Sequence, residues 1–366
     1  MGNNNEKRLR RLRKAMRAAS VPALLVTKPV NVRYLTGFTG EDSYLLVSRT
    51  DTIMLTDGRF ITQLEQECPG LELEVRVQGE TMSDLVPRIV KRCKLGRIAC
   101  EGDSMSIAQF AALTDNLPDV SLEPAPVAFV EQLREIKDRD EIAEIRRAVS
   151  YAQRAFMVIR AQWRQSQTER LVAAEIEHQI RLFGGEGCSF PPIVAVGERA
   201  ALPHARATDV EIGAADFTLI DWGAVAGGYA SDLTRVLVTG RISPKLERVY
   251  GVVLTAQQRA IEAIRPGVTM SDVDAVARTF IADAGLGKHF GHGLGHGIGL
   301  EIHEAPRLSV GSQRKLEPGM VVTVEPGVYL PGWGGVRIED DVLVTTTGFE
   351  VLSDLPRELE SCVVDA

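Results

Sequence analysis

Residues 217–240 read FTLIDWGAVAGGYASDLTRVLVTG. FTLIDWGA and YASDLTRVLVTG are apolar-rich runs, and the 224–228 stretch that links them ends on two glycines. Two β-prone runs joined through a short glycine-rich connection predict an antiparallel hairpin. Each run also carries an acid in apolar surroundings, Asp221 in the first and Asp232 in the second. A buried charge without a partner is too costly to be retained idly. The hairpin can bring both carboxylates to one point.

Further along, MVVTVEPGVYL (320–330), GVRIEDDVLVT (335–345) and GFEVLS (348–353) predict more strands, with Glu325 and Glu339 inside the first two. Helices are predicted over 138–163, over 168–183 up to Gly184 and Gly185, over 244–264 and over 271–284. Helices and antiparallel strands in blocks indicate an α+β domain. Residues 1 to about 125 differ: PALLVT, SYLLVS, TIMLTD and RIACE read as strands, and MSDLVPRIVKRC has the clearest helical periodicity, which indicates an α/β domain. Pro124 and Pro126 precede a strongly charged helical pattern, which places the boundary between domains 1–126 and 127–366.

HFGHGLGHGIGLEIHE (289–304) holds four of the six histidines. His292 and His296 stand four apart, as in a helical zinc motif. Glycine recurs at every second position from Gly291 to Gly299, and each glycine costs a helix about 1 kcal/mol relative to alanine. The segment is therefore expected to be extended or irregular, with alternate residues sharing a face and the backbone open to close approach.

The chain of 366 residues is 45% hydrophobic and 25% charged, an ordinary globular composition. Its formal charge of −7 argues against general nucleic-acid binding, and no apolar run approaches a membrane span. The basic N-terminus lacks the apolar core of a secretory signal. Leu9, Leu12 and Met16 give it the apolar stripe of a surface helix, and Glu6 stands where a Gly2 lipidation motif needs Ser or Thr. Five scattered cysteines with no C-x-x-C read as reduced thiols, which fits a cytoplasmic protein.

Four strand-context acids and one imidazole form an oxygen-rich donor set, suited to ions such as Mn²⁺ or Co²⁺ more than to one tetrahedral zinc. One ion does not need five donors; two ions sharing carboxylates and a water do. Asp221 in LIDWGA, Asp232 in YASDLTR, His296 in GHGLGHGIGLEIHE, Glu325 in VTVEPGVYL and Glu339 in RIEDDVLV resemble, in order and context, the ligands of the pita-bread metallopeptidases, in the aminopeptidase P and prolidase branch. NVRYLTGFTGE and TDGRF resemble the creatinase-like N-terminal domain of that family. EQLREIKDRDEIAEIRRA resembles its inter-domain helix, and FPPIVAVGERAALPHARAT its Pro-His loop.

The resemblance implies a C-terminal pita-bread domain after a smaller creatinase-like α/β domain, and two divalent ions, with manganese first and cobalt, zinc or iron as alternatives. It implies that Asp221 chelates one metal, that Asp232 and Glu339 bridge both, that His296 completes one sphere, and that Glu325 is both ligand and proton shuttle. His303 matches the donor to the scissile carbonyl or its oxyanion, His204 and His292 match substrate-contacting histidines, and Arg337 matches an arginine on the prolyl side. Arg337 and Glu339 are two apart and so share a strand face. On residues alone, Arg337 could equally be an ion-pair partner for Asp341. His178 and His289 match no motif position and read as ordinary surface or helix residues, and Asp340 and Asp341 read as outer-shell or solvated. Ala205 and Arg206 follow His204 where the family has glycine, which puts the shape of that loop in question.

The function so implied is a dinuclear Xaa-Pro aminopeptidase that releases an N-terminal residue from a following proline, with a strict Xaa-Pro dipeptidase as the alternative. A methionine-type aminopeptidase is disfavoured because it usually lacks the first domain, and a non-catalytic binding protein because all five ligands are present. The expected partners are a peptide with proline second and a second copy in a homodimer, with neither nucleic acid nor membrane.

Overall fold

The computed structural model describes residues 3–364. Gly2, on which the lipidation motif turned, lies outside them. The chain divides into two compact units, Met1–Arg134 and Glu135–Ala366.

The first unit is a six-stranded mixed sheet in the order β4-β3-β2-β1-β5-β6. Its strands are β1 (Ala23–Val26), β2 (Tyr44–Ser48), β3 (Thr52–Thr56), β4 (Glu72–Val75), β5 (Arg97–Cys100) and β6 (Ser121–Pro124). Helices α1 (Asn3–Ala18), α2 (Pro29–Thr36), α3 (Ile61–Glu67), α4 (Met82–Arg92), α5 (Ile107–Asp115) and α6 (Glu131–Arg134) accompany it. Leu9, Leu12 and Met16 are buried, so the stripe of α1 packs inward as its spacing requires. Asp84 closes a capping box with Thr81 at the start of α4, and Leu85, Val86, Ile89 and Val90 bury its apolar face.

The second unit opens with α7 (Arg139–Ala161) and α8 (Glu169–Leu182). Asp138 caps α7 by accepting the amides of Asp140 and Glu141. Strands β7 (Gly187–Cys188), β8 (Ile193–Val196), β9 (Phe217–Trp222), β10 (Ala224–Ala226), β11 (Tyr229–Ala230) and β12 (Leu233–Val238) follow, then α9 (Pro244–Ala263) and α10 (Met270–Asp283). The chain ends with β13 (Gly295–Gly297), β14 (Glu304–Leu308), β15 (Val321–Val324), β16 (Gly327–Leu330), β17 (Gly334–Arg337), β18 (Asp340–Val344) and β19 (Phe349–Val351). Every pairing between these named strands is antiparallel.

The sheet β12-β9-β8 is covered on both faces, and its residues alternate accordingly. Phe217, Leu219, Val236 and Val238 join a core with α9 and α10, whereas Ile220, Trp222, Leu233 and Leu237 pack on α7 and α8. Trp222 stacks on Phe156 with centroids 4.5 Å apart and donates its indole N–H to the Ala152 carbonyl. Asp221 and Thr234 share the parity of the α9–α10 face.

The strands that carry the acids are less regular than their sequence suggests. The ribbon 217–240 is broken: β10 and β11 turn at Gly227 and Gly228, both at positive φ, and form their own sheet with β7. Asp232 lies between β11 and β12, outside a strand. Glycine at 223 permits the break, because a Cβ there would come within 1.8 Å of the Ser231 carbonyl oxygen. Glu325 likewise sits between β15 and β16, and Glu339 between β17 and β18, each where the chain leaves one sheet for another. Three of the four acids therefore stand at sheet crossings, where a side chain can leave the pleated surface.

Candidate active site

The crossings converge. In the β9–β12 register Asp221 is directly opposite Thr234, and Glu339 bridges to Thr234 through an isolated ladder contact. His296 is the central residue of β13, with a bulge directly after it. Its amide donates to Thr323 Oγ1 at 3.1 Å. The flanking glycines make this possible, since a Cβ on Gly295 or Gly297 would reach within 2.0 Å of the Thr323 oxygen or 2.2 Å of the Ala305 oxygen. The glycines allow close backbone packing, as the sequence implied.

Asp232, His296 and Glu339 each offer a ligand atom within 4.8 Å of the others. His296 Nε2 lies 3.6 Å from Asp232 Oδ2 and 3.4 Å from Glu325 Oε1. Its Nδ1 is 3.0 Å from the Gly297 carbonyl, which can only accept, so Nδ1 carries the hydrogen. Burial pushes the imidazole down to about 3, so the ring is neutral and Nε2 turns a lone pair, not a proton, toward two carboxylates. Asp221 Oδ1 and Asp232 Oδ1 are buried with no hydrogen-bond partner among the described residues. Burial first, and the neighbouring carboxylates second, raise Asp232 and Glu339 well above the carboxylate range, and burial pushes Glu325 up to about 7. A neutral imidazole lone pair beside clustered carboxyl groups, with Asp221 Oδ1 and Asp232 Oδ1 left without a donor among the described residues, fits divalent cations. An Nδ1–H donated to a backbone carbonyl is also how ligating histidines are commonly oriented.

Other residues hold this set in place. Arg337, 3% exposed, donates through Nη2 to Asp221 Oδ2 at 2.5 Å, through Nε to Thr234 Oγ1 at 3.1 Å and through Nη1 to the Tyr329 hydroxyl at 2.8 Å. It does not pair with Asp341, the other partner the sequence left open. Thr234 Oγ1 donates to Glu339 Oε2 at 2.6 Å, and His292 Nε2 lies 2.9 Å from the Tyr329 hydroxyl. Thr234 and Tyr329 were not singled out from the sequence. Alternation could have found both, since Thr234 is two residues after Asp232 and Tyr329 four after Glu325.

Asp221, Asp232, His204, His292, His296, His303, Glu325, Arg337 and Glu339 all line one cleft of about 1510 Å³. His204 and His303 are exposed within it, and the His303 ring meets His296 edge-on with centroids 4.5 Å apart. His178 and His289 do not line it. Asp340 and Asp341 are fully buried rather than solvated. Asp340 binds Arg235 and Gln257, and Asp341 accepts the Asp232 amide at 3.0 Å. Ala205 is buried in the main core, so its methyl is accommodated where glycine was expected, and Arg206 is exposed at the cleft. The loop is pinned by Glu169, which accepts from the Val196 and Thr208 amides and from Arg199.

A mixed α/β unit followed by an antiparallel, helix-backed unit with a carboxylate and imidazole nest is the build of a metal-dependent hydrolase. Residues 143–346 match the model of metallopeptidase family M24, and residues 8–136 match the creatinase/prolidase N-terminal domain. A Xaa-Pro dipeptidase of Pyrococcus furiosus is 36% identical over 97% of this chain and 99% of its own length. The solved Xaa-Pro dipeptidase of Bacillus anthracis superposes with a TM-score of 0.93 at 40% identity, covering 97% of this chain and 99% of that one. An X-Pro aminopeptidase of Thermotoga maritima superposes at 0.88 with 36% identity, covering 96% and 100%. The chain belongs to metallopeptidase family M24. It is an enzyme of the two-domain form in which a creatinase-type N-terminal domain precedes the peptidase domain.

Proposed function

We propose that this enzyme is a Xaa-Pro peptidase with a two-metal centre, acting first of all on dipeptides. The observation that carries the metal centre is the lone-pair side of His296 facing Asp232 and Glu325, beside carboxylate oxygens that have no donor. The relatives named Xaa-Pro dipeptidases favour the dipeptide reading over the aminopeptidase that the motifs put first. A cleft large enough for a longer peptide, and the Thermotoga relative, favour the aminopeptidase reading as the second.

Asp221, Asp232, His296, Glu325 and Glu339 would hold two divalent ions, manganese foremost. Such ions supply Lewis acidity that activates water and polarises the scissile carbonyl. Glu325, whose carboxylate lies 3.4 Å from His296 Nε2 in the nest, accepts the proton of the attacking water and returns it to the prolyl nitrogen, which has no hydrogen of its own in the peptide. His303, exposed to the cleft and with its imidazole lowered from the ordinary histidine value first of all by partial desolvation, presents an N–H to the carbonyl oxygen as charge develops there. His204 and His292 border the substrate. Arg337 fixes Asp221 and Tyr329, and Tyr329 in turn fixes His292.

Turnover of Ala-Pro, Ala-Pro-Ala and Met-Ala-Ala under Mn²⁺ and Co²⁺ tests the assignment. Hydrolysis of Ala-Pro well ahead of the tripeptides supports the dipeptidase, and preference for Ala-Pro-Ala supports the aminopeptidase. Cleavage of Met-Ala-Ala alone overturns both.

A further inference from the structure

His303 sits at the end of a tight turn, 299–304, that leads into β14. The carboxylate of Glu304 folds back across this turn and accepts the Glu301 amide at 2.9 Å. Gly299 makes room for it, because a Cβ there would lie 2.8 Å from both carboxylate oxygens. The Gly299 carbonyl in turn accepts the Ala230 amide at 2.8 Å, two residues before Asp232. From the other side Lys137 Nζ reaches Glu304 Oε2 at 3.3 Å, and the two side chains are only 1% and 5% exposed. Lys137 is itself anchored, since its amide donates to the Gly319 carbonyl and the next residue, Asp138, caps α7.

A buried ion pair is weak evidence for stability, because an apolar pair of similar size often serves as well. Its value here lies in geometry. Glu304 is adjacent to His303 in the chain, and its carboxylate fixes the turn that aims the imidazole. We propose that the Lys137–Glu304 pair is a positioning device for His303, holding the 299–304 turn in the shape that presents the imidazole to the substrate carbonyl. The proposal rests on the reading of His303 given above. Neither Lys137 nor Glu304 touches substrate; both act through His303.

The test compares Lys137→Met, Lys137→Arg and the double variant Lys137→Met with Glu304→Leu against wild type, each fully loaded with Mn²⁺. Lys137→Met is expected to lower kcat on Ala-Pro about 10- to 100-fold through misplacement of one group. KM should stay within about threefold and metal content should not change, because the lost interaction belongs to the transition state. Lys137→Arg should recover most of the loss. The double variant, apolar at both positions, should keep the wild-type melting temperature and still show the low kcat, which a merely structural pair would not.

A second readout does not depend on turnover. In metal-free protein the imidazole resonances of His303, assigned by their loss in His303→Gln, should shift or broaden in the double variant. Unchanged resonances together with wild-type kcat in that variant overturn the proposal, as does a kcat loss that tracks metal loss. Absence of Ala-Pro hydrolysis by wild type would remove the proposed function, while the resonance comparison would still decide whether the pair positions His303.

Discussion

Arg337 holds Asp221 through a 2.5 Å contact and is itself held by Thr234 and Tyr329, so one buried guanidinium ties a carboxylate of the proposed metal nest to the hydroxyl that meets His292. Breaking a buried pair by removing one partner costs about 3–5 kcal/mol, because the other charge is left uncompensated. Arg337→Met should destabilise metal-free protein by that order. With Mn²⁺ bound the loss should be smaller, because the cation replaces the missing positive charge. Urea unfolding with and without metal measures both, and equal losses would show that Asp221 does not share its charge with a metal.

Metal binding should release protons. Asp232 and Glu339 are raised well above the carboxylate range by burial, with neighbouring carboxylates adding to it, and Glu325 is raised to about 7. Near neutral pH the metal-free nest therefore retains protons that a cation must displace. Affinity for Mn²⁺ should rise with pH. Calorimetry in buffers of different ionisation enthalpy reads the release directly, and no net release at pH 6.5 would contradict the assignment.

The His292 imidazole is shifted in the opposite direction to these carboxyls. Burial pushes its imidazole down to about 4, below the ordinary 6.5, so the folded state favours the neutral ring. The stability this contributes is present above pH 6.5 and is lost as pH falls toward 4, with a slope of at most about 1.4 kcal/mol per pH unit. Proton NMR of the ring should place its midpoint near pH 4, and His292→Gln should flatten that part of the metal-free stability curve. A midpoint near 6.5 would mean that the ring is hydrated and not locked to Tyr329.

Helices were the most legible feature of the sequence. The patterns over 138–163 and 168–183 become Arg139–Ala161 and Glu169–Leu182, because capping residues and the apolar stripe act locally. The proposed donors Asp221, Asp232, His296, Glu325 and Glu339 were legible as acids in apolar runs and as one histidine among glycines, and the fold brings them into one cleft. Strand continuity was not legible. The breaks at Asp232, Glu325 and Glu339 arise where the chain changes sheets, which depends on pairing between distant segments such as the bridge of Thr234 to Glu339. The same holds for Lys137 and Glu304, whose pairing spans 167 residues and leaves no local signature.

The central claim is that a metal nest containing Asp232 makes this chain a Xaa-Pro peptidase. Asp232→Asn keeps the size of the side chain and removes the charge between His296 and Glu339. Elemental analysis and Ala-Pro turnover, measured on the same preparations, test the claim most directly. Wild type should carry about two ions per chain, and Asp232→Asn should lose metal and activity together. Full Ala-Pro turnover by metal-depleted Asp232→Asn protein would contradict it.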